Sequence, residues 1–216
     1  MVTEIIGVSH PSALRRASEV VRAGGLVAFP TDTVYGLGAT PWLDSAVRGL
    51  YAIKERPDSK AIPLLLASAG YLERVAILVP FCRQVIKAFW PGGLTLILPK
   101  TMSVSEVVSA GPSVAVRVPD LALARELIEV AGGVLAVTSA NVSGQPSSVT
   151  ATDVYDQLGG RIELIIDGGP CRHGTSSTIL DCTLTPPIMR RRGAVSEAAL
   201  RSVLGQIETV AGEQTD

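Results

Sequence analysis

The apolar positions of this chain repeat with two periods, and the segments they mark alternate along its length. Leu14, Ala17, Val20 and Val21 recur at helical spacing from Ser12 to Val21, and Gly24-Gly25 stops that stripe. A short buried strand, Leu26 to Phe29, follows and ends at Pro30, which has no N–H for a sheet ladder. Asp44 is predicted to cap a helix running to about Glu55. The unbroken apolar run Ile62 to Ala67 predicts a buried strand, with a further helix beginning at Ser68. A helix from Pro80 to Trp90 carries proline in its first turn. Strands are predicted at Leu94 to Leu98 and Val114 to Val118, then a helix capped by Asp120 and closed by Gly132-Gly133. The same reading gives strands at Val134 to Val137, Ile162 to Ile166 and Ser177 to Cys182. It also gives a short helix at Asp153 to Leu158 and a last helix, Glu197 to Gln206, capped by Ser196. Helices and strands mix throughout without an internal repeat, which predicts one α/β domain over 1–216, with its core from about 10 to 206 and a frayed tail from about 207.

Composition narrows the chemistry. Of 216 residues, 47% are hydrophobic and 18% charged, enough apolar material for a core without disulfides or a structural metal. The net charge of −1 supplies no general attraction to nucleic acid, so affinity for phosphate has to come from a local patch. Cys82, Cys171 and Cys182 follow no metal spacing, which predicts reduced thiols in a cytoplasmic protein. No apolar run approaches the length of a membrane span, and no basic segment precedes an apolar one at the start. The only histidines are His10, beside Pro11, and His173, in a glycine-rich loop, a poor basis for a Ser-His-Asp hydrolase or a histidine metal site.

Five polar constellations interrupt the apolar pattern. Thr31-Asp32-Thr33 leads into Val34-Tyr35-Gly36 at a strand end, where open α/β sheets hold ligands, although an ordinary polar turn has the same composition. Lys54, Arg56 and Lys60 form a basic cluster suited to a polyphosphate, although taken alone it reads as a solvated helix C-terminus. Arg117 interrupts the apolar strand Ser113 to Val118, either buried against a carboxylate or ligand or pointing outward from an edge strand. Thr138 to Ser147 gathers hydroxyls, an amide and a glycine after a buried strand, without the Walker or GxGxxG pattern. The last constellation joins Gly174 to Thr178 with the triplet Arg190-Arg191-Arg192.

In order and spacing, PTDTVYGLGA, KERP, FWPGGLTLIL, VAVRVP, TSANVSG, GTSSTILD and the final RRG resemble the threonylcarbamoyl-AMP synthase family of the TsaC/YrdC type, over about Leu26 to Val195. The resemblance implies a twisted mixed sheet, parallel and antiparallel, flanked by helices around a concave basic cleft, in a short form lacking a C-terminal extra domain. It also implies synthesis of threonylcarbamoyl-AMP and pyrophosphate from ATP, L-threonine and bicarbonate, with Mg2+ accompanying the phosphates. A separate transferase complex would place the product on tRNA. By position, the resemblance assigns Lys54 and Arg56 to catalysis and, with Lys60, Ser113, Asn141, Ser147 and Arg191, to ATP. It assigns Thr33, Arg117, Ser139 and Ser177 to threonine. Arg192 stands in place of a usual proline, Lys60 of asparagine and Leu65 of histidine. The alternative reading is a non-catalytic YrdC-like domain that binds double-stranded RNA or tRNA on the same surface. The opening Asp32 either positions that Mg2+ or caps its turn, and the cap is the expectation.

Overall fold

The computed structural model describes residues 2–55, 61–171 and 175–210. Among them eleven strands form one sheet in the order β1-β8-β2-β3-β7-β4-β6-β5-β9-β10-β11. In chain order these are β1 (Glu4–Gly7), β2 (Val27–Phe29), β3 (Gly36–Ala39), β4 (Leu64–Leu66), β5 (Leu94–Pro99), β6 (Ser113–Arg117), β7 (Val134–Ser139), β8 (Leu164–Asp167), β9 (Thr178–Asp181), β10 (Ile188–Arg191) and β11 (Glu208–Thr209). The helices are α1 (Ala13–Arg22), α2 (Asp44–Lys54), α3 (Cys82–Phe89), α4 (Ala122–Val130), α5 (Ala151–Leu158) and α6 (Glu197–Leu204), with a 3-10 turn at Ala69–Arg74. The sheet is mixed: β4 with β6 and β5 with β9 are parallel, whereas β2 with β3, β3 with β7, β4 with β7, and β5 with β6 are antiparallel.

Alternation along each strand sends successive side chains to opposite faces. One face is covered across the sheet: Leu37, Leu64, Leu66, Leu94, Leu96, Val114, Val116, Ala136 and Leu180 share one buried cluster with Val47 and Leu50 of α2, Val85 of α3, Val154 of α5 and Leu200 of α6. The other face is covered only in part. Ala13, Ala17 and Val21 of α1 and Ala124, Leu127 and Ile128 of α4 pack on Val27, Phe29, Leu65, Leu135, Val137 and Leu164. None of the buried members of that second cluster comes from β5, β6, β9 or β10. Among the described residues no helix packs on the β6–β10 half of this face, which carries the side chains of Thr95, Ala115, Arg117, Ser177 and Arg191.

Several elements differ from the sequence-based expectation. Glycine hides β3, because Gly36 and Gly38 weaken any strand signal, yet a Cβ on Gly36 would lie 2.7 Å from Val137 Cγ1 and one on Gly38 2.9 Å from Phe29 Cε1. β1 pairs with β8, and β11 pairs with β10, so the sheet extends past both limits expected for the core. Asp44 is the first residue of α2 rather than its cap, and its Oδ1 accepts from Ser105 Oγ at 2.6 Å. Leu121, not Asp120, is the cap of α4. α3 begins at Cys82, after Pro80. Ser196 caps α6 as expected, accepting from the Ala199 N–H.

Candidate functional site

The uncovered half-face is organised by Arg117. β6 lies between β4 and β5, which excludes the edge-strand reading, and Arg117 is 5% exposed. A guanidinium removed from water needs partners on every side. Its Nη2 donates to Asp32 Oδ1 at 2.6 Å, its Nη1 to Thr33 Oγ1 at 3.0 Å and its Nε to the Gly92 carbonyl at 2.8 Å. Burial lowers the Arg117 pKa, and the Asp32 charge and hydrogen bond oppose that shift. Asp32 thus does not cap its turn. Thr31 does so, its Oγ1 accepting from the backbone N–H groups of Thr33 and Val34.

Beside this group, Ser177 Oγ lies 2.8 Å from Thr95 Oγ1, and Arg191 Nη2 donates to the Ser177 carbonyl at 2.9 Å and to its hydroxyl at 3.2 Å. Register explains the meeting: Thr95 is opposite Ile179, and Arg191 is also opposite Ile179 from the other side. Thr95 was not singled out by the sequence, where it is one polar residue in an apolar strand. Gly193 lets the chain after Arg191 lie against β9, since a Cβ there would come within 2.6 Å of the Ser177 and Thr178 backbone.

A second neighbourhood sits at the end of α2. Lys54, 4% exposed, donates from Nζ to the Ser139 carbonyl at 2.7 Å, to Ser139 Oγ at 3.1 Å and to Asn141 Oδ1 at 3.2 Å. Asn141 Nδ2 in turn donates to the carbonyls of Val142 and Gln145, so the amide holds the loop after β7 in shape. Glu55 ends α2 in the left-handed region at φ 53°, a conformation that costs a non-glycine residue about 1 kcal/mol and turns the chain away from the helix. Arg56 and Lys60 lie outside the described residues. The loop of Thr31 to Thr33 spans the two neighbourhoods: a Cβ on Gly36, which pairs with Ser139, would lie 3.7 Å from Thr31 Cγ2, and one on Gly93 3.9 Å from Thr33 Cγ2. Ser113, half-buried at the start of β6, is four residues from Arg117, or about 13 Å along the strand. Ser147 is half-buried beside Ser148, whose carbonyl accepts the Tyr35 N–H.

A cavity of about 450 Å³ opens on this face, bordered by Asp32, Gly92, Gly93, Asp120, Thr175, Gly193, Ala194 and Val195. Among the described residues no three His, Cys, Asp or Glu side chains converge as a metal site.

The comparisons with known proteins agree with this architecture. Residues 19–193 match the Sua5/YciO/YrdC family model, described as "Telomere recombination". The chain belongs to this family. It is 42% identical over 196 residues to threonylcarbamoyl-AMP synthase of Pyrococcus abyssi, covering 90% of this chain and 58% of that protein. It is 39% identical over 214 residues to threonylcarbamoyl-AMP synthase of Bacillus subtilis, covering 98% and 62%. The chain therefore spans about three fifths of the length of these curated relatives. The crystal structure of P. abyssi Sua5 complexed with L-threonine superposes with a TM-score of 0.94 at 40% identity, over 99% of this chain and 65% of that one. Escherichia coli YciO shares the fold at a TM-score of 0.81 and 24% identity, over 94% and 99%.

Proposed function

We propose that this family member is a nucleotidyltransferase that makes L-threonylcarbamoyl-AMP and pyrophosphate from ATP, L-threonine and bicarbonate, supplying a transferase complex that modifies tRNA. The observation that carries the reading is the meeting of Thr33 and Arg117 on the uncovered half-face, in a chain that superposes at 0.94 on a relative holding L-threonine. A buried arginine, two threonine hydroxyls and a serine suit a small zwitterion better than an RNA backbone, which favours catalysis over RNA binding alone.

In this reading Thr33, Arg117, Ser139 and Ser177 hold threonine, and Lys54, Arg56, Lys60, Ser113, Asn141, Ser147 and Arg191 address ATP. The threonine amine captures CO2 from bicarbonate to form a carbamate. A carbamate oxygen then attacks the α-phosphorus of ATP while the bond to pyrophosphate breaks. Such a step is accelerated mainly by alignment and by neutralising phosphate charge, a task for Lys54, Arg56 and Arg191 rather than for a histidine base. Mg2+ would enter with the nucleotide, held chiefly by its phosphates. Free Cys82, Cys171 and Cys182 support a cytoplasmic location, and among the described residues no helix is long and apolar enough to cross a membrane.

The test is pyrophosphate release from ATP with L-threonine, bicarbonate and Mg2+, each omitted in turn. Release that requires both threonine and bicarbonate is expected, as is its loss in Arg56→Ala. Release indifferent to threonine would overturn the function, and wild-type rates in the variant would overturn the Arg56 role.

A further inference from the structure

The arginine assigned to the substrate carboxylate is already paired with a carboxylate of the protein. Asp32 is 5% exposed, and its Oδ1 accepts from Arg117 Nη2 at 2.6 Å. No second hydrogen bond to the Asp32 side chain occurs among the described residues, although an ionised carboxylate has about four acceptor positions. A buried acceptor left unsatisfied is destabilising, and more so when it is charged. That cost is relieved if a ligand donor completes the shell, and Asp32 borders the 450 Å³ cavity. Arg117, for its part, has five N–H groups and spends three of them on Asp32, Thr33 and Gly92.

We infer that Asp32 is the anchor for the substrate's amino group, and that Asp32 and Arg117 together form a cradle that selects an α-amino acid over a carboxylic acid lacking the amine. This inference rests on the reading of the site as a threonine pocket. The pair carries no net charge, as a zwitterion does not, so each end of the ligand meets its opposite without leaving a bare charge in the buried site. In this cradle the two N–H groups that Arg117 has left are for the carboxylate, and the open oxygen of Asp32 takes an N–H of the amine. Loss of the ammonium proton before carbamate formation leaves an N–H that still donates to that oxygen. A divalent metal is a poor occupant of the same oxygen. The Arg117 guanidinium lies 2.6 Å from the other oxygen of the same carboxylate, and no three-ligand cluster is present among the described residues.

Calorimetric titration of the protein without ATP tests this, comparing L-threonine with 3-hydroxybutanoate, which keeps the carboxylate and hydroxyl but lacks the amine. The wild type is expected to prefer threonine by about tenfold or more, and Asp32→Asn to lose that preference while its ATP affinity stays within about twofold. Equal affinity of the wild type for both acids overturns the anchor, as does a variant that keeps the preference. The wild-type comparison decides the matter even if the variant fails to fold. Titration with Mg2+ alone, if bound by the wild type and not by the variant, assigns the carboxylate to a metal and also overturns it. Threonine-dependent pyrophosphate release with no preference for threonine sinks only the anchor. Absence of threonine-dependent release sinks the parent reading, and the anchor with it.

Discussion

At the scale of single residues, the candidate site is built from hydroxyls and charges that hold one another. Thr95 is the plainest case. It is buried at 3% exposure on β5, and among the described residues its side chain bonds to the Ser177 hydroxyl at 2.8 Å, which Arg191 also reaches. Thr95→Val keeps the shape and removes the hydroxyl, so Ser177 loses the partner that fixes its rotor. The expected outcome is a loss of about 1 kcal/mol in unfolding free energy and, under the proposed function, a raised KM for threonine with the KM for ATP nearly unchanged, Thr95→Ser restoring the wild-type values. Denaturant unfolding and initial-rate kinetics check this, and equal rises in both KM values would assign Thr95 to the fold alone. Neither Thr95 nor the Asp32–Arg117 pair was legible as a unit in the sequence. The partners stand 82 and 85 positions apart, and only strand register brings them together.

At the scale of elements, Lys54 joins the end of α2 to the loop after β7. The sequence marked both segments, because a basic helix end and a run of small polar residues are compositional signals. It could not show that the ammonium spends its donors on Ser139 and Asn141. Lys54→Ala leaves Asn141 Oδ1 without its buried donor, whereas the Ser139 carbonyl keeps the Asn141 N–H. We expect stability to fall by about 1–3 kcal/mol and amide hydrogen exchange to quicken over residues 139–148, in addition to any loss of turnover. Unchanged exchange in that loop would mean Lys54 serves the nucleotide alone. The helices themselves were largely readable, since α1, α2 and α4 carry apolar stripes that match their buried positions. β3 was not, because its glycines are required by Val137 and Phe29 on neighbouring strands rather than by any local preference.

At the scale of the whole molecule, the pH dependence of stability follows from two carboxylates. Asp153 is held below its usual range by the Val149 backbone N–H and, next, by the Thr150 hydroxyl, in the capping box of α5. Burial opposes the charge of Asp181, but the Thr183 hydroxyl and Arg190 outweigh it, and its pKa is also lowered. A carboxyl with a lower pKa in the folded state binds fewer protons than in the unfolded chain. Its stabilisation is therefore complete above the unfolded value, about 3.9, and is lost as pH falls through the folded value. Urea midpoints are expected to drop in that acidic window, and Asp153→Asn to make the drop shallower; an unaltered slope would remove Asp153 from the account. These two groups sit at an α5 cap and in the β9–β10 pair, so the acid loss is expected to be felt in the frame that carries the site.

The sequence alone determined the α/β class, the places of most helices and interior strands, and the order of motifs that marks the family, because periodicity and turn chemistry act over a few residues. It also supplied the roster of candidate residues, including Thr33, Arg117, Ser177 and Arg191. Tertiary structure alone decided that α1 and α4 cover only half of one sheet face, that β6 is interior, and that Asp32 neutralises Arg117 there. Those outcomes depend on strand order and register, which arise from contacts between segments tens of residues apart, and no local pattern encodes them.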